Sequence, residues 1–363
     1  MNRHTALPSP HASHVNDAVE LLKSLIRFPS LSGEEAEIAS FMEAHVARAG
    51  LEVSRLEDNV YFYLGNGSRR LLLNSHLDVV PPSECHPYDP FDPVVKGGWL
   101  YGRGSVDAKA SGAAMTTAVL QLAAEGYTPR NGQIIVALTV CEETGEDRNG
   151  LLALRPHLPP IHAALVGEPT EMQPAVAQKG LLILRICARG RTAHAARAHL
   201  GENAILNAVQ DIERLRRLRF DDMETPLMTV TTISGGTARN VVPDLCSFYV
   251  DIRTTPKTPH DEVIRRVSAH LESEVHVHSS RIGPVSTPES EHIVQSCLAA
   301  IPSAVPFMSD TASDWLFLAD IPTVKIGPGA SERSHTADER ILISEVHEAV
   351  DQFKRIVRRF FDQ

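Results

Sequence analysis

Three short apolar runs constrain this chain more than any other feature. Leu71-Leu72-Leu73, Ile134–Val140 and Ala163–Val166 are dominated by branched residues, the pattern of strands covered on both faces. Between the first two lies Ala110–Ala124, small and apolar, which predicts a helix buried against a sheet. Each run ends in potential metal ligands: Ser75-His76-Leu77-Asp78, then Cys141-Glu142-Glu143-Thr144-Gly145, then Gly167-Glu168-Pro169-Thr170. Side chains two apart on a strand point the same way, so His76 and Asp78 project together. Open α/β sheets take their ligands at the C-terminal ends of the strands. Any one of these endings could be an ordinary solvated turn, but three together point to one shared site.

Downstream and upstream segments supply further candidates. Tyr101-Gly102-Arg103-Gly104-Ser105-Val106-Asp107-Ala108-Lys109 places Asp107 just before the helix, where it could also serve as an N-cap-region aspartate. His335 follows the apolar run Thr323–Ile326 in the loop that begins Gly327-Pro328-Gly329. Helices are predicted from about Asn16 to Ile26, after a Ser32-Gly33-Glu34-Glu35 capping box up to about Gly50, over Ser290–Ala300, and over Ser344–Phe360. Strands are predicted on both sides of the Asn66-Gly67 turn, a loop over Pro81–Leu100, and a short strand at Val305–Met308.

From about residue 173 to 282 the order changes to strand (177–188), helix (203–217), strands (227–234, 245–253), helix (260–271) and strand (274–278). This β-α-β-β-α-β order is ferredoxin-like. It predicts a domain inserted between 1–172 and 283–363.

Composition sets the limits. The 363 residues suit two domains, and 43% hydrophobic with 22% charged residues is ordinary for a soluble globular protein. A net charge of -10, from 35 basic and 45 acidic residues, disfavours nucleic acid and anionic membrane as partners. Five scattered cysteines (Cys85, Cys141, Cys187, Cys246, Cys297) without CxxC pairing suggest reduced thiols in a cytoplasmic protein. Met1–His14 lacks an apolar signal-peptide core and reads as a short disordered lead-in.

His76, Asp107, Glu143, Glu168 and His335 offer two imidazoles and three carboxylates, a mixture that suits zinc, with cobalt or manganese as substitutes. One aspartate bridging two ions, with one histidine and one glutamate on each, would make a two-metal site that activates water and polarises a carbonyl. Glu142, beside a ligand, remains as general acid/base. No Gly-x-Ser-x-Gly elbow, nucleophilic cysteine context or complete dinucleotide motif competes with this reading.

The motifs Ser75-His76-Leu77-Asp78-Val79-Val80-Pro81, Gly102–Lys109, Glu142-Glu143-Thr144-Gly145, Gly167-Glu168-Pro169-Thr170 and His335-Thr336-Ala337-Asp338-Glu339 resemble, in order and spacing, the two-zinc amidohydrolases. That family includes acetylornithine deacetylase, succinyl-diaminopimelate desuccinylase, carboxypeptidase G2 and the aminoacylases. The resemblance covers nearly the whole chain from about residue 16. It implies an α/β, zinc-exopeptidase-like catalytic domain with a mixed sheet between helices, plus the inserted ferredoxin-like dimerisation or lid domain. It also implies that His76 and Glu168 bind one zinc and Glu143 and His335 the other, with Asp107 bridging. Glu142 would be the general acid/base, and Asp78 would orient His76. In the insert, Thr192-Ala193-His194 resembles the segment whose histidine stabilises the oxyanion, from the neighbouring subunit of a homodimer. Asn240 in Gly235–Pro243 resembles a substrate contact, and Arg253 the arginine that meets a substrate carboxylate. Asn240 could instead be a turn residue and Arg253 an ion-pair partner.

Two departures blur the placement within the family: Ala108-Lys109-Ala110 after the bridging aspartate, and Ala195-Ala196 after His194. The Val106–Lys109 wording and the Gly327–Thr336 ending look most like the acetylornithine, acetylcitrulline and carrier-protein-lysine deacylases. The expected activity is therefore deacetylation of N-acetylornithine or N-acetylcitrulline. Succinyl-diaminopimelate desuccinylase, carrier-protein-lysine hydrolase and dipeptidase are the alternatives within the family, and a non-catalytic metal-binding protein the alternative outside it.

Overall fold

The computed structural model describes residues 17–144, 148–220 and 224–362. The expectations for Met1–His14 and for Gly145 lie outside these residues. The chain forms two compact units: Met1–Val176 with Thr287–Phe307 and Ser313–Gln363, and Ala177–Ser286 with Met308–Ala312.

The first unit is built on one mixed sheet. Seven of its nine strands run Val53–Leu56, Asn59–Gly65, Gly132–Thr139, Arg69–His76, Ala163–Val166, Thr323–Lys325 and Ala175–Gln178 in spatial order. Gly132–Thr139, Arg69–His76, Ala163–Val166 and Thr323–Lys325 are mutually parallel. The two strands joined by the Asn66-Gly67 turn do not pair with each other, because Gly132–Thr139 lies between them. Four parallel strands therefore end on one side, and their C-terminal residues or the turns after them carry the candidate ligands.

Helix Lys109–Ala124 is buried nearly all round, as its small apolar sequence requires. It packs against Ile343–Asp362, whose Phe353, Ile356, Val357, Phe360 and Phe361 are buried in the same core. Gly167 has no room for a side chain, since a Cβ there would come within 2.9 Å of Ser111 and 3.0 Å of Met115 on the helix. That close approach sets the end of the Ala163–Val166 strand against the first turns of the helix, directly after Asp107.

Helix Ala18–Ile26 begins two residues later than predicted, capped by Asp17, which accepts from Val19 N at 2.9 Å. The Ser32–Glu35 capping box is not formed. Ser32 Oγ donates instead to Asp78 (2.7 Å), and Glu35 accepts from Cys141 N (3.0 Å). Both side chains are drawn to buried partners from other elements, and helix Ala36–Arg48 starts without a side-chain cap. Within the predicted loop, Val94–Lys96 pairs with Trp99–Tyr101, which pairs in turn with Arg340–Leu342 to make a small sheet.

The second unit has strand order Leu227–Gly235, Leu245–Thr254, Gly180–Arg189, Glu274–Ile282, all antiparallel, the ferredoxin-like order. Helices Ala204–Arg217 and His260–His270 bury Ala208, Leu215, Val263 and Val267 against Leu182, Leu184, Phe248 and Val250. Among the described residues, no helix is long and apolar enough to cross a membrane.

Candidate metal centre

His76 ends its strand and is almost fully buried. Its Nδ1 lies 2.9 Å from the backbone oxygen of Asp78. A carbonyl only accepts, so Nδ1 carries a proton, and when the ring is neutral it is Nε2 that is free to bind in the site. That Nε2 stands 3.3 Å from Asp107 Oδ1 and 3.8 Å from Glu168 Oε1. His335 Nε2 stands 3.4 Å from Asp107 Oδ2 and 3.1 Å from Glu143 Oε1. Asp107 thus offers one oxygen to each histidine, and each histidine has a glutamate of its own.

Asp78 does more than was expected of it. Its Oδ1 is 3.4 Å from His76 Nδ1, farther than its own carbonyl. The carboxylate accepts from Glu142 N and Glu143 N, both at 3.1 Å, and from Ser32 Oγ. It therefore orients the turn that carries Glu142 and Glu143 as well as the strand end that carries His76. Ser75 Oγ adds a second brace, donating to Gly167 O (2.9 Å) and Ala108 O (3.2 Å).

Two buried carboxylates belong to this site and have no counterpart in the sequence reading. Asp314 accepts from Asn149 Nδ2 (2.6 Å) and Thr139 Oγ1 (3.1 Å), tying the end of Gly132–Thr139 to the far side of the glutamate turn. Glu339 accepts from the backbone amides of Gly104, Val106 and Asp107 and from Arg103. Glu339 closes a motif that sequence inspection singles out, but the motif alone assigns it no partner.

The electrostatics follow from burial. Burial foremost, then the charge of Asp107, pushes the Glu168 carboxyl up to about 8. Burial also raises Glu143, and it raises Glu142 well above the usual carboxylate range, reinforced by the charges of Glu168 and Asp314. Hydrogen bonds donated to the Asp107 and Glu143 carboxylates lift His335 to about 10. Burial opposes charge on His76, but its contacts with Asp107 and Asp78 outweigh this and raise it. Burial likewise opposes charge on Asp107, and the two histidines overcome it, holding Asp107 below the usual range. Buried Lys325, whose charge reaches Glu168, Glu142 and Asp107, offsets only part of this, and the surplus of carboxylates around two imidazoles calls for further positive charge.

The donor set fits divalent cations. Ligand atoms of His76, Asp107 and Glu143 lie within 4.8 Å of one another, and so do those of His76, Glu142 and Glu168. The second group shows that Glu142 is close enough to ligate as well as to act as a base, a distinction for experiment.

His194, Asn240 and Arg253 lie in the second unit. Ala195 N donates to Asn240 O (2.9 Å) and Val242 N to Ala193 O (2.8 Å), so the His194 and Asn240 turns are knitted together. His194 Nδ1 accepts from Ala196 N at 3.1 Å, which leaves its exposed Nε2 as the protonated nitrogen, a donor. Arg253 is not brought to these turns. It pairs with Asp251 (2.9 Å) on the same strand face, and Cys246, at the end nearer His194, is about 24 Å away at ~3.4 Å per residue.

Comparison with known proteins bears on this arrangement. The sequence profile of Peptidase family M20/M25/M40 matches residues 72–359. Succinyl-diaminopimelate desuccinylase of Dinoroseobacter shibae is 29% identical, over 96% of this chain and 100% of that protein. A probable carboxypeptidase of Aspergillus flavus is 27% identical over 96% of this chain and 92% of that one. The crystal structure of aminopeptidase PepT from Bacillus cereus superposes with a TM-score of 0.76 at 21% identity, covering 95% of this chain and 98% of that one. A dinuclear metal binding peptidase of Bacillus subtilis gives a TM-score of 0.72 at 14% identity, over 97% and 99% of the two chains. These structures share the fold.

Proposed function

Because the chain belongs to Peptidase family M20/M25/M40, a family of metal-dependent hydrolases acting on amides, we propose that it removes the acyl group from an N-acylated amino acid. The observation that carries this reading is Asp107, with one oxygen toward each of two histidines and a glutamate beside each. His76, Glu168, Asp107, Glu143 and His335 would hold two divalent ions, zinc by donor chemistry. Bound there, such ions lower the pKa of water and polarise the amide carbonyl.

The protein's own groups then have distinct tasks. Glu142 in its ionised form takes the proton from the attacking water, a transfer that burial favours by making the carboxylate a stronger base. The water oxygen bonds to the carbonyl carbon, the C–N bond breaks, and Glu142 returns the proton to the departing amine. His194 donates through Nε2–H to the developing oxyanion, and Asn240 beside it contacts substrate. In this reading Arg253, too far from His194 within one chain to meet the same small substrate, comes from the other subunit and exchanges the carboxylate of Asp251 for that of the substrate.

The choice of acyl group follows the relatives. Several of these relatives are succinyl-diaminopimelate desuccinylases, and they favour a succinylated amino acid over the N-acetylornithine expected from the motif wording. A panel of N-succinyl-L,L-diaminopimelate, N-acetylornithine, N-acetylcitrulline and dipeptides, compared by kcat/KM, tests this. The succinyl substrate is expected to lead at about 10⁴ M⁻¹s⁻¹ or more. Turnover of dipeptides alone would make the protein a peptidase and end the deacylase reading.

Assembly is part of the same proposal. Leu227–Gly235 is an edge strand, exposed along nearly its whole length, with Leu227 62% and Ile233 51% accessible. Leu206 and Val209 on Ala204–Arg217 are also exposed. An open apolar edge of this kind is suited to two-fold pairing with a second copy. A homodimer formed there would let His194 of one copy serve the other. Mixing inactive His194→Ala with inactive Glu142→Ala is expected to restore part of the activity once subunits exchange, because some sites then contain both groups. Confirmed exchange with no recovery would place His194 in its own subunit's site.

A further inference from the structure

The backbone that leads into the bridging aspartate is wrapped around a single carboxylate. Glu339 is 2% exposed. Its Oε1 accepts from Val106 N (2.8 Å) and Asp107 N (3.1 Å), and its Oε2 from Gly104 N (3.1 Å) and Arg103 Nη1 (2.6 Å). Gly102 N donates to the Glu339 backbone oxygen at 3.2 Å. Charge-assisted bonds of this kind are stronger than neutral ones, and four of them on one group leave the segment little freedom. Gly104 sits at φ +80°, and a Cβ there would come within 2.8 Å of Lys109 and Val79.

Glu339 also ends the loop that carries His335. Arg340–Leu342, directly after it, pairs with Trp99–Tyr101. The Trp99 ring is met by Arg333 at 4.7 Å and Arg340 at 5.3 Å, one from each side of His335 in sequence. Arg333 is held in turn by Glu345 at 3.1 Å. The loop is thus pinned before and after His335, and its last residue holds Asp107.

We propose that Glu339 is a positioning residue for the metal centre: it fixes Asp107 relative to His335, so that the bridging carboxylate and the ligand of the second ion share one frame. This rests on the two-ion reading above. Removing the charge of Glu339 would weaken its hold on the Gly104, Val106 and Asp107 amides and leave Arg103 without its ionic partner. Asp107 would then lose its fixed presentation while every ligand stays in the chain. Supporting groups of this kind typically contribute 10–100-fold to metal affinity.

The test is a calorimetric titration of chelator-stripped protein with Zn²⁺ alone, repeated with Co²⁺ and its visible spectrum. The wild type is expected to take up two ions. Glu339→Gln is expected to bind at least one of them about 10–100-fold more weakly, with an altered cobalt spectrum and a fall in kcat at nearly unchanged KM. Glu339→Asp keeps the charge but shortens the reach, and should fall between the two; if the glutamine variant does not fold, it carries the same comparison. A merely structural role would lower the unfolding temperature of the stripped protein and leave metal affinity and spectrum unaltered in the folded variant, which would overturn the proposal. Failure of the wild type to bind two ions would overturn the two-ion reading instead, so the two failures are told apart.

Discussion

Glu142→Gln is expected to keep both ions and lose kcat by about 10⁴-fold, the upper end of what general acid–base catalysis contributes. The substitution is nearly isosteric, so packing and the hydrogen bond from Glu142 N to Asp78 should survive. What changes is the ability to take up and return a proton. Glu143, one residue on, faces His335 at 3.1 Å, whereas the Glu142 carboxylate lies with His76 and Glu168. Adjacent side chains thus serve different ends of the site. The second outcome is the informative one: a glutamine variant with a single ion would make Glu142 a ligand, and the base would have to be sought elsewhere. Near-normal kcat with both ions in place would exclude it from proton transfer. Steady-state kinetics and elemental analysis on the same preparation separate these results.

The parts of the site that could be read from sequence are those that sit where a strand stops. His76, Glu142, Glu143 and Glu168 each follow an apolar run whose burial is written in its composition, so strand ends and candidate site residues are legible together. Asp107 was marked by the helix it precedes. The supporting carboxylates carry no such mark. Glu339 is joined to Gly104, Val106 and Asp107 across more than 230 residues and mostly through backbone amides, which any sequence has. Asp314 lies in a short 3₁₀ turn and meets Asn149 and Thr139, partners that only the sheet order brings near. Ser32 and Glu35 show the opposite error. Their spacing fits a local cap, but buried acceptors and donors elsewhere compete for the same side chains and win. Local patterns fail where a polar group has a better partner far away, and such groups concentrate around a charged site.

The same surplus of buried carboxylates decides what stripping the ions should do. Chelation is expected to abolish turnover, and restoring Zn²⁺ to return it. Stability should change as well. At free ion about 1,000-fold above its dissociation constant, one bound ion stabilises the folded state by about 4 kcal/mol. For a unit of this size that corresponds to a melting temperature about 10 °C higher. The pH dependence of this difference has a definite sign. In the stripped protein the Glu168 carboxyl is raised to about 8, so its folding contribution is fully present below about 4.5 and lost as pH rises through 8. His335, raised to about 10, contributes stability below about 6.5 that is lost as pH rises through 10. Glu142, Glu143 and His76 are raised too and act in the same direction. Asp107 is held low and acts the other way, but only below about pH 4. Metal ligands must be deprotonated to bind, so the gain from added Zn²⁺ should grow between pH 5 and 8 while the stripped protein weakens. Thermal unfolding with and without Zn²⁺ at several pH values measures this directly. A stabilisation that stays flat across that range would mean that the ions, if bound, do not sit on these carboxylates.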